Sequence, residues 1–326
     1  MTTDTTAQPG SSPAARPAPP EQIRAVPVRH PGRWAGAVVI AVLAAMFVHM
    51  LVTNPHFEWR FMVQNMFISP VLQGVQTTLI MTVLAMVIGV LLGIVFAVMR
   101  LSPNPVLAGA AWVYVWFFRA IPRYVLLFFM ANLGILYETY TVGIPFSHEL
   151  KSLVGLGGDI HFLGLNGNQI FSGFTAGLPG LALSEGAYLA EIVRAGMQSV
   201  DAGQTEAASA LGMSRGTTLR RIVLPQAMRV IIPPTGNETI AMLKDTSLLY
   251  AVPVTRELNF QLHAIGSRTF QNIPLAVASI LWYLALASLL MIGQYFVERR
   301  FSRGFGARET KAQRAERTAR SVGGTH

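Results

Sequence analysis

Residues 206–225 read EAASALGMSRGTTLRRIVLP and are the most informative stretch of this 326-residue chain. The stretch is polar and interrupted by glycines, whereas strongly apolar segments precede and follow it. Because a polar connection between membrane helices has to meet water, it must lie outside the bilayer, beside the helices that it joins. The pattern therefore predicts a membrane protein with a short, structured loop at one membrane surface.

The composition also indicates a membrane protein. The chain is 52% hydrophobic and 13% charged, whereas soluble domains carry roughly 25% charged residues. Its apolar segments have the length of membrane helices, about 20 residues, and lack the alternating pattern of membrane barrels. Cysteine is absent, which excludes disulfides, thiolate metal sites and cysteine nucleophiles. We expect an all-α integral membrane protein, and no residue spacing indicates a metal or cofactor site.

Six apolar segments have the length of a membrane-spanning helix: residues 34–52, 74–99, 121–140, 171–193, 228–252 and 273–297. An aromatic stretch before the third segment suits the membrane interface, and a glycine-rich loop follows that segment. We expect residues 34–52 to be an uncleaved anchor helix, because no typical cleavage site follows them. Residues 1–33 are predicted to be a disordered cytoplasmic tail and residues 298–326 a basic cytoplasmic tail.

The distribution of basic residues predicts the orientation, since cytoplasmic loops carry an excess of Lys and Arg. Arginines concentrate in the N-terminal tail, around residues 206–225 and in the C-terminal tail, and Arg100, Arg119 and Arg123 flank the connection after the second segment. The opposite side receives only Arg60, Lys151, Arg256 and Arg268. Both termini and the polar stretch are therefore predicted to be cytoplasmic, which requires an even number of spans.

Residues 201–225, which we call the signature loop, are predicted to form two short helices around a glycine. Asp201 or Thr205 can accept hydrogen bonds from the free N–H groups at the start of the first helix. Gly212 can end that helix in a left-handed conformation, and Ser214 can cap the second. The proline at the end of the loop either terminates the second helix or opens the next membrane helix. The result would be a compact element held between two membrane helices.

The signature loop resembles the cytoplasmic loop of ATP-binding-cassette (ABC) importer permeases. The matching positions are Glu206, Ala207, Ala208, Gly212, Ile222, Leu224 and Pro225. Composition alone would also fit an ordinary amphipathic connector, but the full spacing favours the permease loop. GAYLAEIVRAGMQSVDAGQ (residues 186–204) and LPQAMRVIIPPTGNETIAMLKDTSL (residues 224–248) resemble the polar amino acid subgroup. FRAIP, residues 118–122, resembles the FRGTP of that subgroup but departs from it at Ala120 and Ile121.

The resemblance covers residues 74–297 and implies a five-helix type I permease core, with the helix at residues 34–52 outside it. It implies two permease subunits, identical or related, whose loops seat in a dimer of cytoplasmic ATPases. An extracytoplasmic binding protein would deliver a polar amino acid. The chain has no phosphate-binding G-x-x-x-x-G-K motif, so ATP hydrolysis is expected from a separate subunit, and this chain is not expected to be an enzyme.

Several charged residues fall inside predicted spans, where an ionised group costs about 2.5–3.5 kcal/mol on insertion scales. Glu185, Asn237, Glu238, Lys244 and Asp245 are therefore expected to face protein or water. They could line a substrate pathway, since a zwitterion needs partners of both signs, or they could form salt bridges between helices. Lys244 and Asp245 point about 100° apart on a helix and are not expected to pair with each other.

Two further pairs are predicted to be structural. Glu191 and Arg194 lie three residues apart on one helix face and can neutralise each other. Gly89 and Gly93 form a small-x-x-x-small pair that permits close helix packing. The alternative function is an ion-coupled secondary transporter that uses the intramembrane carboxylates, although the signature loop would then have no purpose.

Overall fold

The computed structural model describes residues 31–136, 139–143, 161–252 and 254–301. The chain divides into two compact units, residues 1–54 and residues 55–326. The predicted tails lie outside the described residues except for residues 31–33 and 298–301. In the first unit, helix α1 (Pro31–Thr53) covers the predicted anchor segment and is apolar along its length.

The described part of the second unit is almost entirely helical. Its elements, in chain order, are α2 (Trp59–Met66), α3 (Ser69–Arg100), α4 (Pro105–Ala120), α5 (Arg123–Leu136), β1 (Thr139–Gly143), β2 (His161–Asn166), α6 (Gly167–Ile170), α7 (Gly173–Gln198), α8 (Ala202–Ala210), α9 (Arg215–Thr218), α10 (Leu224–Asp245), α11 (Leu258–Thr269) and α12 (Asn272–Phe301). Short 3-10 turns lie at Pro55–Phe57 and Thr246–Ala251, and a π-helical turn lies at Leu219–Val223.

Three of the described helices, α1, α3 and α12, are long and apolar enough to cross a membrane. The pair α4 and α5 meets the same criterion jointly, with a bend of 103° between them. Helices α7 and α10 have 26 and 22 residues, so at about 1.5 Å per residue they also exceed a hydrocarbon core of about 30 Å. They are less apolar because they carry the intramembrane charges. These elements account for the six predicted spans.

The third predicted span, residues 121–140, corresponds to only one arm of a bent pair of helices. Within it, α5 begins directly after Pro122 and ends at Leu136, and residues 139–140 belong to β1, whereas α4 lies before the predicted span. The residue before a proline is disfavoured in a helix, and Ile121 is extended there, with φ −87° and ψ 131°. The aromatic stretch, which we expected at the membrane interface as a separate segment, forms the second half of α4.

The connections contain more structure than the sequence indicated. Strands β1 and β2 pair antiparallel, with Thr139 opposite Asn166, inside the region predicted as a glycine-rich loop. The part of that loop between the strands, residues 144–160, lies outside the described residues. Helix α11 occupies the connection between the fifth and sixth predicted spans, where no helix was expected.

Helices α3 and α7 share the most extensive contact among the described elements, and they pack closely at the predicted glycine pair. A Cβ atom at Gly89 would stand 2.9 Å from Cγ of Glu185, and one at Gly93 would stand 2.7 Å from Cβ of Leu189. Only glycine permits this approach. A second close approach lies at Gly74, where a Cβ atom would stand 2.8 Å from the Cα atom of Leu258 at the start of α11.

Candidate functional site

The signature loop has the two caps and the glycine terminator that its sequence predicts. Asp201 caps α8 and accepts a hydrogen bond of 2.7 Å from the N–H of Gly203, whereas the Thr205 hydroxyl donates to the carbonyl of Ala202. Gly212 ends the element at φ +74°, in the left-handed region that favours glycine. Ser214 then caps α9 by accepting a hydrogen bond from the N–H of Thr217. The first helix therefore starts at Asp201 and not at Thr205.

The second half of the loop continues into the membrane helix without a break. Helix α9 is followed by the π-helical turn Leu219–Val223, and α10 begins directly at Leu224. Pro225 lies in the first turn of α10, so it opens this helix rather than ending the previous one. The loop and α10 therefore share a continuous helical backbone.

The matched positions of the loop divide between its surface and its interior. Glu206, Ala207, Gly212, Leu224 and Pro225 are exposed, Ile222 is half-buried and Ala208 is buried. Leu211, just before Gly212, exposes 81% of its surface. Sequence reasoning did not single out Leu211, although an apolar residue before a helix-ending glycine in a polar loop was a visible signal. Together with Ala207 it gives the tip of the loop a small apolar surface.

A charged cluster lies deeper in the second unit and is centred on Arg123, the first residue of α5. Its guanidinium donates to Glu185 Oε2 at 2.7 Å, to the carboxylate of Asp245, and to Ser184 Oγ at 3.2 Å. The carboxylate of Glu238 stands 3.9 Å from the same guanidinium. We call Arg123, Glu185, Glu238 and Asp245 the charged cluster. It unites three of the five residues that were predicted to line a pathway.

The charged cluster has more negative than positive groups and is open on one side. One guanidinium faces three carboxylates within 4 Å. The side chain of Glu185 is fully buried, whereas those of Glu238 and Asp245 remain 26% and 30% exposed. Oε1 of Glu185 is buried without a hydrogen-bond partner in the described part of the chain. The cluster can therefore accept a further cationic donor on its exposed side.

The distribution of basic residues assigned Arg123 to a cytoplasmic connection and did not indicate that it lies at the centre of the charged cluster. Its side chain is only 13% exposed, and its guanidinium lies 5.0 Å from the centre of the Tyr188 ring. The available signal was the FRAIP motif, because Pro122 breaks the helix directly before Arg123.

The other two predicted pathway residues lie outside the charged cluster. Asn237 is exposed and accepts a hydrogen bond of 3.0 Å from Nε2 of Gln294 on α12. Lys244 is exposed and forms no ion pair with any residue that the structure describes. As expected, Lys244 and Asp245 are not partners, because Asp245 binds Arg123 instead.

The predicted pair at the end of α7 is present. Arg194 donates two hydrogen bonds to Glu191, of 2.6 and 3.0 Å, and Arg100 stands 3.8 Å from the same carboxylate. These contacts connect the last turn of α3 to α7 close to the signature loop.

A second buried carboxylate, Glu257, was missed by the sequence reasoning. Its side chain caps α11 by accepting a hydrogen bond of 3.1 Å from the N–H of Phe260. Thr78 on α3 donates to it at 2.9 Å, and the hydroxyl of Tyr283 on α12 donates to the same oxygen. The position of Glu257 directly before an apolar helical pattern was the signal available for this cap.

Comparisons with known proteins identify a family and relatives of the chain. A family profile described as binding-protein-dependent transport system inner membrane component matches residues 89–303. The arginine transport system permease protein ArgU of Corynebacterium glutamicum is 42% identical over 292 residues, covering 90% of this chain and 87% of the relative. The probable amino-acid permease protein YxeN of Bacillus subtilis is 33% identical over 250 residues, covering 76% of this chain and 97% of the relative. A solved amino acid ABC transporter with histidines shares the fold at a TM-score of 0.56 and 29% identity, covering 74% of this chain and 98% of that one.

Proposed function

The chain belongs to the binding-protein-dependent transport system inner membrane components, and we propose that the signature loop couples it to an ATPase and that its cargo is a basic amino acid. The chain is a multi-pass membrane protein with the type I fold and serves as the permease subunit of an amino acid ABC importer. It is not an enzyme, because a separate subunit hydrolyses ATP. Permeases of this kind work with an ATPase and a substrate-binding protein. The ion-coupled secondary transporter is therefore not retained.

The observation that carries the coupling proposal is the placement of the exposed signature loop between two helices that both reach the charged cluster. Helix α7 enters the loop and carries Glu185, and α10 leaves the loop and carries Glu238 and Asp245. A displacement of the loop therefore moves Glu185 relative to the other two carboxylates. Arg123, on neither helix, would then change partners between them.

In this mechanism the ATPase dimer binds the two states of the permease with different affinities, and the nucleotide determines which state it favours. Closure of an ATPase dimer on ATP would hold two loops, one from each permease of a dimer, in one arrangement. Opening of the ATPase dimer would favour the other arrangement, so that the equilibrium between outward- and inward-facing states shifts with the nucleotide. Glu206, Ala207, Gly212 and Leu211 would contact the ATPase, whereas Ala208, Ile222, Leu224 and Pro225 would maintain the shape of the loop.

The proposed arrangement in the membrane follows the basic residues. Both termini and the signature loop are assigned to the cytoplasmic side. Residues 74–297 would form the transport core, and residues 34–52 an additional helix. The partner permease would be a second copy or a related chain. These assignments rest on the charge distribution and on the family, and cysteine accessibility at each terminus tests them, since the natural chain has no cysteine.

The proposal of a basic cargo rests on the charge of the cluster. Three carboxylates around one guanidinium leave an excess of negative charge, which favours a substrate with a cationic side chain. The 42% identical relative is named as an arginine transport permease, which agrees with this inference. Uptake of arginine and of glutamate into vesicles that contain the permease, its ATPase and its binding protein would test it. Preferential uptake of glutamate would contradict the proposal.

A matched pair of glycine substitutions tests the coupling role. Gly212→Val forces a β-branched residue to φ +74°, which costs about 1–2 kcal/mol and changes the shape of the loop. Gly216→Val is the control, because Gly216 is exposed in the same loop, has no positive φ and has open space at its Cβ position. We expect ATPase stimulation by loaded binding protein to be lost in Gly212→Val and retained in Gly216→Val, with both proteins inserted. Equal stimulation in the two variants would remove the proposed role of the loop.

A further inference from the structure

An apolar cleft of about 700 Å³ opens between α3, α7, α10 and α12, and no residue of the charged cluster lines it. Along α3 the cleft extends from Val90 to Leu101, which is about 16 Å at the rise of an α-helix. This length is close to half of a hydrocarbon core of about 30 Å. A cleft of this length would span one leaflet of the membrane, on the side of the signature loop.

The walls of the cleft have few polar groups, and these are already paired. The hydroxyls of Thr235 and Thr239 donate to carbonyls of their own helix, at 2.8 and 2.9 Å. The amide of Gln294 donates to the carbonyl of Pro233, to Asn237 and to the carboxylate of Glu298. A zwitterionic amino acid would lose its hydration here without gaining partners, whereas an alkyl chain would not. The cleft is therefore unsuited to the cargo and suited to an apolar occupant.

The mouth of the cleft is basic. Arg220, in the π-helical turn, lines it together with Leu101 and Leu219, and no acidic residue is among the described residues that line it. Arg221 follows directly and is also exposed. A guanidinium at the membrane surface, beside an apolar cleft that runs into one leaflet, matches a lipid with an anionic headgroup.

We propose that this cleft binds an anionic phospholipid, with one acyl chain between α3 and α12 and the phosphate on Arg220. The lipid would lie against Leu219 and Leu224, which belong to the joint between the signature loop and α10. Occupancy would thereby stiffen the joint through which the loop moves α10. This binding does not depend on the nature of the cargo.

Gly293 on α12 provides the sharpest test of the acyl-chain site. It lines the cleft, and a Cβ atom there would meet nothing within 4 Å, so a larger side chain fills the cleft without a clash. Gly293→Leu should lower the retention of phosphatidylglycerol by about tenfold, the loss expected when two methylene groups are displaced. Gly109→Leu on α4 is the control, because it also has open space and does not line the cleft. Native mass spectrometry of the delipidated permease, mixed with phosphatidylglycerol or phosphatidylcholine, measures the bound lipid.

Arg220→Gln tests the headgroup site, and because Arg220 is exposed, the substitution should not affect folding. It should weaken phosphatidylglycerol retention by about fivefold and leave phosphatidylcholine unchanged. Equal retention of both lipids by the natural chain, or unchanged retention in Gly293→Leu, would overturn the proposal. So would a disulfide between two copies carrying Gly293→Cys, because a second permease would then occupy the cleft.

Discussion

Glu185 and Glu257 are both fully buried carboxylates, yet the structure stabilises them in opposite ways. Glu185 faces a single guanidinium, Arg123, which Asp245 and Glu238 also approach. Glu257 is surrounded by neutral donors, two hydroxyls and a backbone N–H, each from a different element. At Glu185, three carboxylates share one guanidinium, whereas at Glu257 each hydrogen bond comes from a separate neutral donor.

This difference indicates which part of the permease moves. An arginine shared by several acids stays charge-compensated when it changes partners, since each alternative pairing also places a carboxylate beside it. A carboxylate solvated by fixed neutral donors gains nothing from rearrangement, because any movement leaves a buried group unpaired. We infer that the charged cluster takes part in the transport cycle and that Glu257 fixes α11 against α3 and α12. The following predictions, from the largest effect to the smallest, test this contrast.

Removal of Arg123 should have the largest effect. Arg123→Met leaves Glu185 buried without a cation, and breaking a buried pair in this way costs about 3–5 kcal/mol. Thermal unfolding of the detergent-solubilised permease should therefore shift to a clearly lower temperature. Arg119→Met is the control, because Arg119 is exposed and makes no hydrogen bond or close ion pair with a described residue; its guanidinium lies 5.3 Å from the centre of the Tyr188 ring.

The double variant Arg123→Met with Glu185→Gln sharpens this test. Removing both charges abolishes the uncompensated carboxylate, so much of the lost stability should return while uptake remains impaired. An unfolding temperature for Arg123→Met equal to that of the natural chain would mean that the charged cluster carries no buried ion pair of consequence.

Glu257→Ala should have the second-largest effect, and on stability alone. It removes the cap of α11 and leaves the hydroxyls of Thr78 and Tyr283 without their acceptor, a loss of about 2–3 kcal/mol. Uptake per inserted molecule should be unchanged, because the site does not rearrange. The measurement is uptake normalised to the amount of folded permease, and Glu257→Gln, which retains an acceptor, is the control. Impaired uptake by folded Glu257→Ala would place Glu257 in the transport cycle.

These two sites also show how far the sequence could predict the structure. The caps at Asp201 and Ser214 and the terminator at Gly212 were predictable, because each depends on residues within a few positions. The partners of Arg123 were not, because Glu185 and Asp245 lie 62 and 122 residues away in the chain. Spacing assigns residues to faces of one helix and cannot identify which helices meet.

The same limit applies to the fold. The long apolar helices follow from segment length, and the close contact of α3 with α7 follows from Gly89 and Gly93. The sequence analysis did not predict the bend between α4 and α5, because mean hydropathy over a window does not register a single proline. Pro122 was nevertheless the residue from which a break in the helix could have been predicted. Helix α11 was missed because it is short, and its position depends on Glu257 and on Thr78, 179 residues away.

Glu185→Gln should affect transport more than stability, the reverse of Glu257→Ala. Replacing a buried carboxylate by an isosteric amide removes a desolvated charge, so stability should change by less than about 1 kcal/mol. Uptake should fall by about tenfold or more, the equivalent of one charge-assisted hydrogen bond. Asp245→Asn should act in the same direction but less strongly, because Asp245 is partly exposed. A variant that folds poorly but transports normally once inserted would assign Glu185 a structural role.

Lys244→Gln should have the smallest effect, although Lys244 is adjacent to Asp245 in the chain. The side chain is exposed and lies outside the charged cluster, so its removal should change stability by no more than about 0.5 kcal/mol. Uptake should remain within about twofold, since an exposed charge is screened by salt. The decisive measurement is the pair Lys244→Gln and Asp245→Asn, assayed for uptake at low and at high ionic strength. If Lys244→Gln reduced uptake as much as Asp245→Asn at both ionic strengths, the substrate pathway would include Lys244. The charged cluster alone would then no longer explain the preference for a cationic cargo.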